Sequence, residues 1–105
     1  MEPVDQDVMV LALDAYRQYI IADYRKMYGE KDITSPFFDV SFMKGKKFIR
    51  VVTHSSGGSR SSHSFIETET GVIWKSASWK APALNFPRGN VLDRTFERVT
   101  WTGAR

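Results

Sequence analysis

The first third of the chain carries apolar residues at intervals of three and four. This spacing places the apolar side chains on one face of a helix. Acidic residues lie near its start, Arg25 and Lys26 lie near its end, and Gly29 can take the left-handed conformation that terminates a helix. The pattern therefore predicts one helix over about residues 5–28. Its apolar positions are Val8, Met9, Ala12, Leu13, Tyr16, Tyr19, Ile20 and Met27.

After residue 37 apolar and polar residues alternate, which is typical of half-buried strands. Lys44-Gly45-Lys46 indicates a tight hairpin turn, because glycine tolerates the positive φ that such turns need. Residues 55–62 are rich in serine and glycine and are predicted to form a mobile loop. The fold class is therefore predicted as mostly β with one N-terminal α-helix. The predicted strands cover 38–42, 48–54, 63–67, 72–80 and 90–92, and residues 95–101 are predicted to form a last strand or a tail.

The composition indicates a single folded domain over residues 1–105. A mass of 12.0 kDa leaves no room for a separate catalytic domain, and 42% hydrophobic residues exclude a disordered chain. A core this small favours self-association. Without cysteine the chain has neither disulfides nor thiolate metal sites. No leader and no run of about 20 apolar residues is visible, which predicts a cytoplasmic protein without membrane contact.

Charge is distributed unevenly along the sequence. The overall net charge is +3, but residues 40–92 hold eight basic residues and two glutamates, a local charge of +6. The first thirty-nine residues are net acidic instead. Lysine and arginine neutralise phosphates, and an aromatic side chain such as Trp79 can stack on a base. The basic middle of the chain therefore predicts a surface for polyanions.

Two segments in the second half of the chain resemble known proteins. Residues 69–82 form a predicted turn and a strand with two tryptophans among lysines, and residues 86–92 read Phe-Pro-Arg-Gly-Asn-Val-Leu. Together with residues 45–52 and 63–66, they resemble a family of small marine phage proteins that has no established activity. The resemblance implies a protein that acts in the cytoplasm of an infected host.

One helix followed by about five short antiparallel strands also resembles the Sm-like fold, a small bent barrel of the SH3 type whose protomers join into rings. Residues 86–92 look like its second motif, in which arginine and glycine lie at the inner rim. The resemblance implies a homo-oligomeric ring with Arg88, Gly89 and Asn90 at an RNA pocket. The Asp and Asn of the first Sm motif have no counterparts, because the serine-rich segment stands in their place.

These arguments predict that the chain binds RNA or single-stranded DNA through its basic loops. The turn at residues 88–90 is expected to be exposed, and Trp79 is expected either to stack on a base or to join the core. An alternative function is a structural or protein-binding module of a phage, assembled through open strand edges. The residues predicted to bind nucleic acid are Lys44, Lys46, Lys47, Arg60, Trp79, Lys80, Arg88, Gly89 and Asn90.

Catalysis is not predicted, although the two histidines offer the main argument for it. His54 and His63 flank the serine-rich segment and can face each other across a hairpin. Two histidines without an oriented carboxylate or an activated nucleophile make a poor active site. The glycine pairs do not open a helix at the spacing of a nucleotide-binding loop. The sequence therefore predicts no enzyme, no metal and no cofactor, and a small hydrolase would require a pocket at both histidines.

Overall fold

The computed structural model describes residues 6–28, 38–55 and 58–105, and these residues form one helix and eight strands. The predicted class, mostly β with one N-terminal helix and about five antiparallel strands in a sheet, is confirmed. The helix is α1 (Gln6–Tyr28). The strands are β1 (Phe38–Lys44), β2 (Phe48–Ser55), β3 (Arg60–Glu67), β4 (Val72–Ser76), β5 (Pro82–Ala83), β6 (Gly89–Asn90), β7 (Val99–Thr100) and β8 (Gly103–Ala104).

The first six strands form one antiparallel sheet. Its order is β1-β2-β3-β4-β5, with β6 pairing the other part of β4, while β7 and β8 form a separate hairpin. The predicted turn at Gly45 is confirmed, and its amide donates to the carbonyl of Phe48 at 2.9 Å, but the positive φ expected for Gly45 is wrong. A Cβ on Gly45 would lie 2.9 Å from that same oxygen, so the turn needs glycine. Short connections of this kind produce the meandering strand order.

A β-bulge interrupts the pairing of β2 with β3. Val51 pairs with Ser64 and Val52 pairs with Ser62, which leaves His63 as the extra residue. A bulge redirects side chains because it breaks the strict alternation of a strand. Four consecutive residues of β3, from His63 to Ile66, are accordingly buried.

The core lies between α1, the sheet and the C-terminal hairpin. Tyr24 stacks on Phe38 with ring centres 4.1 Å apart, and the amide of Trp101 donates to Asp23 Oδ2 at 2.9 Å. These contacts join the helix to both ends of the β region. Because the packed face is continuous, apolar burial is the main source of stability. The buried cluster comprises Met9, Ala12, Leu13, Tyr16, Ile20, Ile21, Val40, Ile49, Val51, Ile66, Ile73, Val91, Phe96, Val99 and Ala104.

Several predicted boundaries are wrong. The strand predicted over 72–80 ends at Ser76, and residues 77–81 form a turn in which Ala77 and Ser78 amides donate to Ala81. The strand predicted over 90–92 is Gly89–Asn90, and the one over 95–101 is replaced by the hairpin of β7 and β8. The predicted loop 55–62 is shorter, since β2 reaches Ser55 and β3 begins at Arg60. Asp5 and Gly29, which were predicted to mark the two ends of the helix, lie outside the described residues.

Within the described ranges, no helix combines the length and the apolar character needed to cross a membrane.

Candidate nucleic-acid interface

Five cations converge on one groove at the end of the sheet. The groove has a volume of about 320 Å³, and no Asp or Glu among the described residues lines it. Within the described part of the chain, none of its cations forms an ion pair. An uncompensated concentration of positive charge attracts polyanions. We call this feature the basic groove, and its lining consists of Met43, Lys44, Gly45, Lys46, Lys47, Phe48, Arg50, Phe65, Lys80 and Pro82.

Three of these cations come from the turn between β1 and β2. Lys44, Lys46 and Lys47 are all exposed, and the tight turn at Gly45 holds their backbones together at the tip of the hairpin. The Lys47 ammonium lies 5.6 Å from the centre of the Phe48 ring. The lysines predicted from sequence therefore form one side of the groove.

The other side comes from the turn at residues 77–81, which carries Trp79 and Lys80. Arg50 joins the two sides, because its Nε donates to the carbonyl of Trp79 at 2.6 Å. The Arg50 guanidinium also lies 4.8 Å from the centre of the Trp79 ring, and that of Arg60 lies 5.3 Å from it. Trp79 is half-buried under these two arginines. The structure thus brings Trp79, Lys80 and Arg60 together with the hairpin lysines.

Sequence reasoning missed Arg50 as a member of the site. Its position in β2 gave the only signal, because Arg50 alternates with the inward-facing Ile49 and Val51. The register places Arg50 opposite Met43 on β1 and opposite Phe65 on β3. An arginine in a central strand can reach both neighbouring strands, which explains why it organises the groove.

Arg88 does not line the basic groove and is not exposed as expected. Only 5% of it is accessible, so the prediction of an exposed arginine in this turn is wrong. Its Nη1 donates to Asn85 Oδ1 at 2.7 Å and to the carbonyl of Phe86, and its guanidinium lies 3.7 Å from the Phe86 ring. Its Nε is buried without a hydrogen bond to the described residues. Arg88 therefore braces its own turn, and its contact with nucleic acid stays a prediction.

Gly89 and Asn90 also have structural partners. A Cβ on Gly89 would lie 2.1 Å from the carbonyl oxygen of Thr95, and the Gly89 φ is 148°. Asn90 donates to the carbonyl of Thr70 at 3.0 Å and accepts from the amide of Leu92 at 2.8 Å. Neither residue lines the basic groove. Their predicted role at an RNA pocket is not tested by these contacts.

The two histidines do not face each other, contrary to the expectation. His54 pairs with Arg60, and its Nε2 lies 2.7 Å from the hydroxyl of Ser41. His63 points inward at the bulge, is 3% exposed and lies 2.7 Å from the carbonyl of Thr100. The bulge separates them because it turns His63 to the core face. The structure therefore places the two side chains in different environments.

His63 belongs to a buried hydrogen-bond chain. Because the Thr100 carbonyl only accepts, the proton lies on Nε2, and Nδ1 accepts from the Ser64 hydroxyl at 2.8 Å. Ser64 in turn accepts from Tyr16 at 2.7 Å. Burial lowers the pKa of His63 to about 4 and raises the pKa of Tyr16. Both residues of this serine-histidine pair lie in the core, since Ser64 has no solvent access and His63 is almost fully buried.

Among residues 6–28, 38–55 and 58–105, no cluster of three or more His, Asp or Glu side chains could hold a metal ion.

Comparison with known proteins identifies a family but no activity. No curated protein matches the chain, and no solved structure matches it. A family of unknown function, DUF7717, matches residues 5–105. Because this match spans nearly the whole sequence, the chain belongs to the DUF7717 family.

Proposed function

We propose that this protein binds single-stranded nucleic acid, RNA or DNA, through the basic groove. The observation that supports the proposal is the convergence of five cations on one groove, four from two distant turns and Arg50 from β2. Among the described residues, none of the five forms an ion pair and no carboxylate lines the groove. Phosphate neutralisation by lysine and arginine supplies most of the affinity in such contacts and does not depend on sequence.

The aromatic side chains favour a single strand over a duplex. Phe48 lines the basic groove, and Trp79 lies next to it in contact with Arg50. Both residues are half-buried and keep some accessible surface. The bases of a single strand can stack on such rings, whereas those of a duplex are already stacked. The groove thus combines the electrostatic and stacking contacts that single-strand binding requires.

The first test is a fluorescence-anisotropy titration with labelled single-stranded RNA and DNA at 50 and 200 mM salt. If all five cations contact phosphates, affinity falls about 100-fold over this range. The triple variant Lys44→Gln, Lys47→Gln, Lys80→Gln keeps two of the five cations. Between 50 and 200 mM salt its affinity is expected to fall only about sevenfold. These three side chains are exposed, so the fold should be unaffected.

A matched control removes positive charge elsewhere. Lys26 and Lys75 are exposed and do not line the basic groove. Arg105 is also exposed and outside the groove, so the triple variant Lys26→Gln, Lys75→Gln, Arg105→Gln removes the same number of charges. It should bind with nearly the salt dependence of the wild type. Equal weakening by both sets of substitutions would mean that net charge, rather than the groove, determines binding. Absence of binding at 50 mM salt would favour the alternative of a protein-binding module.

Arg50→Lys tests whether geometry matters beyond charge. Lysine keeps the positive charge but loses the planar guanidinium that donates to Trp79 and lies over its ring. We expect affinity to fall about tenfold, with the salt dependence unchanged, because one charge-assisted hydrogen bond is worth about 1.5 kcal/mol. Arg60→Lys is the control, since the guanidinium of Arg60 contacts the Trp79 ring but donates no hydrogen bond to the described residues. If both variants bind with the affinity of the wild type, the contacts of Arg50 with Trp79 do not contribute to nucleic-acid binding.

The Sm-like ring belongs to the same proposal. In the described sheet β1 pairs on one side only, with β2, and an open edge can pair with a strand of a neighbouring protomer. The small β-rich architecture supports this assembly. Light scattering in the titration buffers measures the mass of the oligomer and tests the ring independently of nucleic-acid binding.

A further inference from the structure

The side of α1 that faces away from the core carries a second apolar stripe. Val8, Leu11 and Ala15 recur at intervals of three and four, and Ala22 follows one heptad after Ala15. Leu11 is 65% exposed and Val8 is 51% exposed. A surface helix normally presents polar residues on this side. An additional stripe at this spacing is typical of a helix that packs against another helix.

An apolar pocket lies beside the same stripe. Its volume is about 630 Å³, and its walls combine Ala15, Tyr19 and Phe96 with the polar residues Gln18, Arg94 and Glu97. The rings of Tyr19 and Phe96 are 4.9 Å apart and form its apolar floor. Leu11 precedes Tyr19 by eight residues, which corresponds to about 12 Å along the helix. One face of one chain thus holds both a protruding leucine and a pocket for an apolar side chain.

We propose that α1 packs antiparallel against α1 of a second copy of this chain, about a two-fold axis near Ala15. In this register Leu11 of each copy lies opposite Tyr19 of the other and fills its pocket. Such a contact is self-complementary, as two-fold symmetry requires. The small side chains of Ala15 and Ala22 allow the two helix axes to approach closely.

The charges at the two ends of α1 favour the antiparallel orientation. Asp7 lies in its first turn, Arg25 and Lys26 lie in its last turn, and all three are exposed. Antiparallel packing brings the acidic first turn of one helix towards the basic last turn of the other, whereas parallel packing brings like charges together. Charge and shape therefore select the same partner, a second copy of the chain.

The mass of the protein and of two variants, measured by sedimentation and light scattering, tests this contact. The wild type is expected to form dimers, with a mass of about twice the 12.0 kDa of one chain. Leu11→Glu places a charge in the contact and should weaken pairing at least 30-fold. Val10→Glu is the matched control, because Val10 is also 54% exposed but lies about 100° around the helix from Leu11. It should pair like the wild type.

A cysteine at the two-fold axis provides a second readout that does not disrupt the stripe. The chain has no cysteine, so Ala15→Cys introduces one thiol that faces its own copy. Mild oxidation should cross-link most of Ala15→Cys into dimers and little of Val10→Cys, since a disulfide needs Cα atoms within about 7 Å. Equal cross-linking of the two variants would overturn the register.

The contact itself is overturned if wild type is monomeric at 100 µM, or if Leu11→Glu keeps the wild-type mass. A ring that persists in Leu11→Glu would also overturn the contact between the helices, because the protomers of that ring would then be joined through their strand edges. Neither variant alters the basic groove, so nucleic-acid titrations of Leu11→Glu separate failure of this contact from failure of the proposed function.

Discussion

Gly89→Ala is expected to lower the free energy of unfolding by about 3–4 kcal/mol. Two costs combine, because the added Cβ would lie 2.1 Å from the Thr95 carbonyl oxygen and the φ of 148° is strained for any L side chain. Backbone must move to relieve the contact, and β6 is paired on β4 at this residue. Urea unfolding followed by tryptophan fluorescence measures the loss. Small domains have about 5–15 kcal/mol in total, so the variant should be visibly unstable.

Gly58→Ala is the matched control for this prediction. Gly58 also has a positive φ, of 79°, but a Cβ there would meet no atom within 4 Å. Its cost should therefore be about 1–2 kcal/mol, from the backbone conformation alone. If Gly58→Ala and Gly89→Ala lose the same stability, the close approach of Thr95 is not what demands glycine at residue 89.

Acidification is expected to destabilise the protein by about 3 kcal/mol through His63 alone. Burial lowers its folded pKa to about 4, against about 6.5 in the unfolded chain. The unfolded state therefore binds the proton first as the pH falls. The stabilisation is complete above pH 6.5 and is lost progressively down to about pH 4. Urea unfolding at pH 7.0, 6.0 and 5.0 should show steadily falling stability, mostly before carboxylates titrate.

Two substitutions separate His63 from other titrating groups. His63→Gln keeps an N–H donor for the Thr100 carbonyl but cannot gain a proton, so its stability should be lower at pH 7 and nearly constant between pH 7 and 5. His54→Gln should keep the wild-type slope, because the residue it removes is only half-buried and lies outside the buried chain. A wild-type slope in His63→Gln would disprove the assignment.

The local features of the fold were predictable from the sequence, and the reason is physical. The spacing of apolar residues in α1 and the Gly45 turn depend on neighbours within a few positions. The bulge at His63 depends on the register between β2 and β3, which no local pattern encodes. Alternation alone therefore predicted the wrong environment for His63, and with it a face-to-face pair of histidines.

The candidate site was predictable in part for the same reason. The lysines of the hairpin are adjacent in sequence, so their clustering follows from one turn. Lys80 joins them only because the sheet brings residues more than thirty positions apart to one end. Arg88 resembled an exposed binding residue, but its burial results from the fold of residues 85–88 around the Phe86 ring. Charge can be counted from a sequence, whereas exposure cannot.

The hydrogen bond between Asp23 and the amide of Trp101 joins residues 78 positions apart. During synthesis at about 5–20 residues per second, α1 leaves the ribosome several seconds before residue 101 exists to cover it. The apolar face of the nascent helix is fully covered only after the hairpin of β7 and β8 has been synthesised, so this domain completes its fold late relative to the synthesis of α1. A stalled or truncated chain would expose that face and be an early substrate for chaperones and proteases.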